Sequence, residues 1–367
     1  LHTPGHTMES TTYLLKDRAG KEIAIFSGDT LFLGDVGRPD LAQKGEEITQ
    51  EDLAGMLFDS LRNKIMPLPD DVTVYPAHGA GSACGKNMMK ETVDSLGNQK
   101  KMNYALRADM TKEEFIEEVT DGLLPPPQYF PLNVKMNKSG YDDIGEVLDR
   151  GLKGLAPEAF ESLANETGAI IIDVRHQNDF VNGHVPQSIF IGLDGGFAPW
   201  VGALIGDVNQ PLLIIAPSGR EEETITRLSR VGFDQTLGYL KGGFEAWKKA
   251  GKEYDIISRI GAVELEGLIK EKKVAVYDVR KESEFISERI PTAHNTPLDF
   301  LNDHLNQFPE KETFYVHCAG GYRSMIAASI LKKRGIHNLV DVQGGFKAIK
   351  ETNIPLTNYI CPTTISS

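Results

Sequence analysis

Ile170-Ile171-Ile172-Asp173-Val174-Arg175 returns further along the chain as Val274-Ala275-Val276-Tyr277-Asp278-Val279-Arg280. A second pair makes the same point: Lys241-Gly242-Gly243-Phe244 and Gln343-Gly344-Gly345-Phe346. Asp173 and Asp278 lie 105 positions apart, and Gly243 and Gly345 lie 102 apart. Agreement between the two offsets predicts a tandem pair of domains, each about 100 residues long. Within each copy, short β-branched runs alternate with helical patterns. Residues 212–216, 313–317 and 338–342 read as strands, and 222–231 and 324–334 as helices. Such alternation predicts βα units around a buried parallel sheet, an α/β fold.

The second copy carries a thiol where such sheets bind ligands. The strand Phe314-Tyr315-Val316-His317 runs into Cys318-Ala319-Gly320-Gly321-Tyr322-Arg323-Ser324, and a helix follows at once. Crevices form at the carboxyl ends of the strands in open α/β sheets. Backbone N–H groups and the positive end of a helix favour an anion there. Gly320 and Gly321 allow the loop to curl so that amides of Ala319, Gly320, Gly321, Tyr322 and Ser324 converge, and Arg323 adds a fixed charge. This setting suits an anionic, nucleophilic sulfur and its persulfide. A buried strand-end cysteine is the bland alternative. It requires neither the paired glycines nor the arginine.

These residues resemble the rhodanese family over 256–358. Asp278-Val279-Arg280, Glu284-Phe285, Ile290-Pro291, Ala293 and Asn295-Thr296-Pro297-Leu298 look like its first signature, with Glu288-Arg289 in place of the usual Gly-His. The resemblance implies Cys318 as sulfur carrier and Arg323 as loop anchor. A related phosphatase branch has a loop one residue longer, so the Cys-x4-Arg spacing favours sulfur transfer. The first copy, with Asp173-Val174-Arg175 and Gly183-His184-Val185-Pro186, resembles the same family, but its loop reads Ile215-Ala216-Pro217-Ser218-Gly219-Arg220-Glu221-Glu222. No cysteine falls in it and Ser218 cannot carry sulfane sulfur, so this copy is expected to be catalytically silent, a spacer or docking surface.

The first 130 residues are of another kind. Glu22 to Phe26 and Val72 to Tyr75 read as strands, and 87–118 as largely helical, closed by Leu123-Leu124-Pro125-Pro126-Pro127. Linkers are expected at about 123–140 and near 252–260, giving domains 1–135, 136–255 and 256–367. His6, Asp29 and His78 each sit in a tight turn, read here as following an apolar strand, so they are expected to converge at one sheet edge. Imidazole plus carboxylate is a ligand set for zinc or non-haem iron.

Together these turns resemble the second half of a metallo-β-lactamase αββα sandwich; the family's first metal motif, His-x-His-x-Asp-His, is absent from the sequence. Gly34-Asp35-Val36-Gly37-Arg38-Pro39-Asp40-Leu41 and Pro125-Pro126-Pro127-Gln128-Tyr129-Phe130-Pro131 look like the persulfide dioxygenase branch, and the domain order is that of persulfide dioxygenase–sulfurtransferase fusions. The resemblance implies a mononuclear Fe(II) site with His6 and Asp29 as two arms, His78 behind them or, with zinc, as a ligand. It also suggests Arg38 as a grip for the substrate carboxylate. Cys84 is either a persulfide relay or a small core residue, and Cys361 is incidental. The chain opens on Leu1-His2-Thr3 without an initiator Met, which predicts an internal fragment with an exposed apolar sheet face and weak metal retention, or none.

Forty per cent hydrophobic and 25% charged residues mark a globular protein, and three dispersed cysteines argue for a reducing, cytoplasmic setting over a disulfide framework. A net charge of −13 without a basic stripe argues against nucleic acid and anionic membrane as partners. The expected activity is rhodanese sulfur transfer fused to an iron persulfide dioxygenase. Its substrates would be a low-molecular-weight thiol persulfide, sulfite and thiosulfate, and the chain is expected to self-associate. The rivals are a zinc thioester hydrolase resembling glyoxalase II with rhodanese domains, and a metal-free sulfur-relay module.

Overall fold

The computed structural model describes residues 1–41, 47–80, 82, 84–86, 88–123, 130–271 and 274–359. The chain divides into two compact units, Leu1–Phe130 and Pro131–Ser367. Among the described residues no helix is long and apolar enough to cross a membrane.

The first unit is built on a four-stranded sheet in sequence order: β1 (Tyr13–Lys16), β2 (Glu22–Gly28), β3 (Thr73–Pro76) and β4 (Asp94–Ser95). β2 and β3 run parallel, with Phe26 opposite Tyr75, while the outer strands are antiparallel to them. Side chains alternate across the sheet. Ile25 and Val74 therefore face a core with Ala54, Leu57 and Phe115 from the helices Gln50–Ser60 and Lys112–Thr120. Capping boxes start both helices: the Thr49 and Thr111 hydroxyls accept the amides of Asp52 and Glu114. The opposite face carries Tyr13, Leu15, Phe26 and Tyr75, all exposed, with Phe26 and Tyr75 stacked at 5.2 Å.

The stretch 87–118, read as largely helical, holds only two α-helices in its described part, Leu96–Met102 and most of Lys112–Thr120, with β4 ahead of them. The linker expected at 123–140 contains an α-helix, Phe130–Ser139. Its one proline, Pro131, falls in the first turn, where a missing N–H does no harm. The run Pro125-Pro126-Pro127-Gln128-Tyr129 and Cys361 lie outside the described residues.

The second unit contains two five-stranded, all-parallel sheets of identical topology. The first comprises β5 (Gly154–Leu155), β6 (Ile170–Asp173), β7 (Ile189–Phe190), β8 (Leu212–Ile215) and β9 (Thr236–Leu240), ordered β5-β9-β8-β6-β7. The second comprises β10 (Arg259–Ile260), β11 (Ala275–Asp278), β12 (His294–Asn295), β13 (Phe314–His317) and β14 (Leu339–Val342), ordered β10-β14-β13-β11-β12. Both central strands are buried throughout, as strands covered on both faces should be. The segment 252–260, read as a linker, ends in β10 and is tied to both repeats. Asp255 pairs by backbone with His184 and takes the Lys332 ammonium at 2.6 Å.

The doubled Asp-Val-Arg is a packing device. In each repeat the aspartate is fully buried at a strand end and takes the guanidinium two residues on at 2.6 Å. The same guanidinium donates to the carbonyl of Gly183 or Glu288, at 2.8 Å in both repeats. It also lies over the ring of Phe244 at 4.5 Å or Phe346 at 3.7 Å, the phenylalanines of the Gly-Gly-Phe motifs.

Candidate functional site

Cys318 follows β13 directly and is 1% exposed. Gly321, with φ of +103°, turns the chain so that its amide donates to Cys318 Sγ at 3.1 Å. A side chain at that φ would be strained, which is why this position needs glycine. The helix Tyr322–Lys333 begins at the next residue, its N-terminal end beside the sulfur. The loop is held from behind by the closing motif. Phe346 and Lys347 donate their amides to the carbonyls of Cys318 and Ala319 at 2.6 and 2.9 Å. A Cβ on Gly345 would lie 2.4 Å from that Cys318 oxygen.

Arg323 pairs with Glu284: its two terminal nitrogens donate to the carboxylate at 2.6 and 2.9 Å. Burial pushes the Glu284 carboxyl up, but the Arg323 hydrogen bond and charge outweigh it and hold the group below its ordinary value. Ser324 Oγ donates to Asp341 at 2.7 Å, and Asp341 takes Arg259 at 2.9 Å. Burial raises the Asp341 carboxyl, and these two partners oppose it. His317, wholly buried, directs Nδ1 toward the Cys318 carbonyl at 3.3 Å and lies 3.8 Å from Asp278. Burial lowers its pKa, so the ring is neutral, and its Nε2 has no hydrogen-bond partner among the described residues.

Strand pairing aligns the silent loop without ambiguity. Asp173 lies opposite Ile215 as Asp278 lies opposite His317, so Ala216 stands at the position of Cys318 and Ser218 at that of Gly320. Gly219, φ +85°, retains the left-handed turn of Gly321. Glu221 replaces Arg323, and Asp179 stands where Glu284 would be. The ion pair is thus replaced by two acids. Ser218 does not occupy the sulfur position.

The first unit gathers its four named side chains at one edge. β2 and β3 are parallel neighbours, so Asp29 and His78, just beyond their ends, emerge together. His6 does not follow a regular strand, contrary to the sequence expectation. It lies in the loop ahead of β1, returned to this edge by the antiparallel bridge of His2 with Thr11. His6 Nε2 is 3.1 Å from Asp29 Oδ2, and His78 Nε2 is 3.4 Å from Oδ1. Burial works to raise the Asp29 carboxyl, but the two imidazoles prevail and lower it. Cys84 joins them: one ligand atom each of Asp29, His78 and Cys84 lie within 4.8 Å of one another. Burial pushes the Cys84 thiol up, with Ser82 opposing.

The donor set fits a metal. His6 Nδ1 faces the Arg38 carbonyl at 2.9 Å, and a carbonyl only accepts, so Nδ1 carries the hydrogen. Nε2 of the neutral ring then presents a lone pair to a carboxylate oxygen, an arrangement that a proton or a cation must bridge. Gly37 packs behind them, where a Cβ would meet the Asp29 carbonyl at 1.9 Å. Arg38, 6% exposed, directs its fork at Asp40, with Nε and Nη2 each 2.6 Å from the carboxylate. Its backbone amide donates to the Cys84 carbonyl at 3.0 Å. Asp35, to which sequence reasoning assigned no role, organises the loop: it accepts the amides of Val36 and Lys86 and the Tyr104 hydroxyl.

A strand-to-helix loop at the end of a parallel sheet, holding a cysteine in one repeat and an alanine in the other, defines an α/β class. Residues 156–250 and 261–352 match the Rhodanese-like domain family, and the chain belongs to that family. The chain is also similar to the mitochondrial persulfide dioxygenase ETHE1 of Mus musculus, 30% identical over 135 residues, covering 37% of this chain and 44% of the relative. It is also similar to the hydroxyacylglutathione hydrolase GloC of Haemophilus influenzae, 34% identical over 86 residues, 23% of this chain and 35% of that one. A metallo-β-lactamase crystal structure from Staphylococcus aureus subsp. aureus COL superposes with a TM-score of 0.54 at 27% identity, over 66% of this chain and 65% of that one. The molecule therefore joins a metallo-β-lactamase-type, persulfide-dioxygenase-like region to two rhodanese-like domains. The chain spans less than half the length of either of these two curated relatives.

Proposed function

We propose that the chain transfers sulfane sulfur through a persulfide on Cys318. The observation that carries this reading is the amide of Gly321 on Cys318 Sγ at 3.1 Å, in a loop that also faces a helix N-terminus. The Cys318 thiolate attacks the outer sulfur of thiosulfate; the S–S bond breaks and sulfite leaves with the electron pair. The terminal sulfur of the new persulfide carries the negative charge that the loop is built to receive. A thiolate, sulfite or cyanide then attacks that sulfur, and Cys318 departs as thiolate. With sulfite as acceptor and a thiol persulfide as donor, the same two steps produce thiosulfate. Thiocyanate formation from thiosulfate and cyanide tests this: wild type should turn over, and turnover surviving in Cys318→Ser would overturn it.

For the first unit we propose a contribution to a persulfide dioxygenase centre, with His6 and Asp29 as two ligands and a further histidine completing the set. The metal, iron in this reading, would supply open positions for O2 and the substrate sulfur. The balanced reaction consumes a thiol persulfide, O2 and water and releases thiol, sulfite and two protons. His6 is oriented through Nδ1 by the Arg38 carbonyl, and Cys84 and His78 lie beside Asp29 at the same sheet edge. Oxygen uptake with glutathione persulfide tests the assignment; a zinc-loaded protein without uptake would contradict it. A zinc thioester hydrolase is the second reading, favoured by His78 lying 3.4 Å from Asp29, and a thioester assay separates the two.

A further inference from the structure

We propose that Tyr322 is a positioning residue that fastens the Cys318 loop to the thiol-less repeat, which thereby acts as a template for the loop. The proposal rests on the sulfur-transfer reading and adds what holds its loop in place. Tyr322 follows Gly321, the residue whose amide meets the sulfur, and opens the helix Tyr322–Lys333. Its side chain leaves its own domain. The hydroxyl donates to the carbonyl of Gly192 at 2.7 Å, and the ring meets Phe190 edge-on at 5.8 Å.

Two glycines of the first repeat form the socket. A Cβ on Gly195 would lie 2.3 Å from the Tyr322 ring Cζ, and one on Gly192 would lie 2.9 Å from the Phe190 ring and 3.1 Å from Tyr322 Cε2. Neither glycine adopts a left-handed φ, so backbone conformation does not explain them. The room they leave is room for this ring. Burial raises the phenol above its ordinary value, which keeps it a hydrogen donor.

The same helix face continues the attachment. Ser329 and Lys333 lie seven and eleven residues beyond Tyr322, on one helical stripe. Ser329 Oγ accepts the Phe190 amide at 2.9 Å, and Lys333 donates to the Gln187 carbonyl at 3.0 Å. The silent repeat uses the equivalent loop position differently: Arg220 stays with Asp194 and Glu223 of its own domain. The tether therefore belongs to the loop that holds the thiol.

Tyr322→Phe removes only the hydroxyl, and Gly195→Ala disturbs the socket from a domain without a thiol. Two quantities are measured on folded protein: turnover with thiosulfate, and alkylation of Cys318 by iodoacetamide, read on its peptide by mass spectrometry. A released loop opens the buried thiol but misplaces the Gly321 amide. Alkylation should rise and turnover should fall, each about fivefold for the loss of one hydrogen bond. Gly195→Ala and Tyr322→Ala should combine non-additively, since the second removes the ring that the first displaces. Unchanged alkylation and turnover in Tyr322→Phe, or a parallel fall in both, would overturn the tether. Retained turnover in Cys318→Ser would instead overturn the sulfur-transfer reading, and the alkylation result does not depend on that reading.

Discussion

The two rhodanese-like repeats share one scaffold and differ in the loop that leaves a single strand. Asp173 and Asp278 hold Arg175 and Arg280 at 2.6 Å, and both guanidinium groups reach a carbonyl at 2.8 Å. The loops after β8 and β13 keep the glycine turn of Gly219 and Gly321 but differ in their side chains, Ala216 for Cys318 and Glu221 for Arg323, and Asp179 stands in place of Glu284. The Asp-Val-Arg signature therefore reports a fold, and the chemistry resides in the loop and its ion pair. A repeat can lose the second while the first keeps it standing.

The largest expected effect breaks the comparison at its centre. Cys318→Ser should abolish thiocyanate formation, leaving a protein with two silent repeats. Next come the shared clamps: Asp173→Ala and Asp278→Ala each strand a largely buried guanidinium and should cost about 3–5 kcal/mol in urea unfolding, alike in both repeats. Unequal losses would show that the clamps are not the same device.

A smaller effect concerns the Arg323–Glu284 ion pair, whose counterparts in the other repeat are Glu221 and Asp179. Glu284→Gln should lower turnover roughly fivefold by loosening Arg323. Glu284 is held below its ordinary value of 4.5, so its contribution to stability is present above that pH and is lost as pH falls through the depressed folded value. The stability gap between wild type and Glu284→Gln should therefore be open near neutrality and close in acid, as followed by unfolding at a series of pH values. The smallest effect is a null one. Ala216→Cys places a thiol in the silent loop but beside Glu221, Glu222 and Glu223 at the helix start, so turnover should not rise above wild type.

Much of this was legible in the residues. The repeat offsets announced two equal α/β domains, and the Cys318 loop, flanked by strand and helix, placed the thiol at the carboxyl end of a sheet strand. The convergence of Asp29 and His78 followed from turns after strands. Other features were hidden for physical reasons. The Tyr322 socket joins residues 130 positions apart, and local pattern carries no trace of which glycine makes room for which ring. Glu284 stood in the quoted signature, yet its partner is chosen by how a helix packs, not by spacing. His6 depends on a bridge between His2 and Thr11 too short to read as a strand. Cys84 was recognised as lying near the metal turn, but only the folded loop shows how close it comes to Asp29 and His78.

The most direct test treats the protein with thiosulfate, removes excess reagent and locates added sulfur by mass spectrometry of its peptides. The account predicts one extra sulfur, on the peptide bearing Cys318, discharged by cyanide. Sulfur found instead on Cys84 or Cys361, or none retained at Cys318, would contradict it.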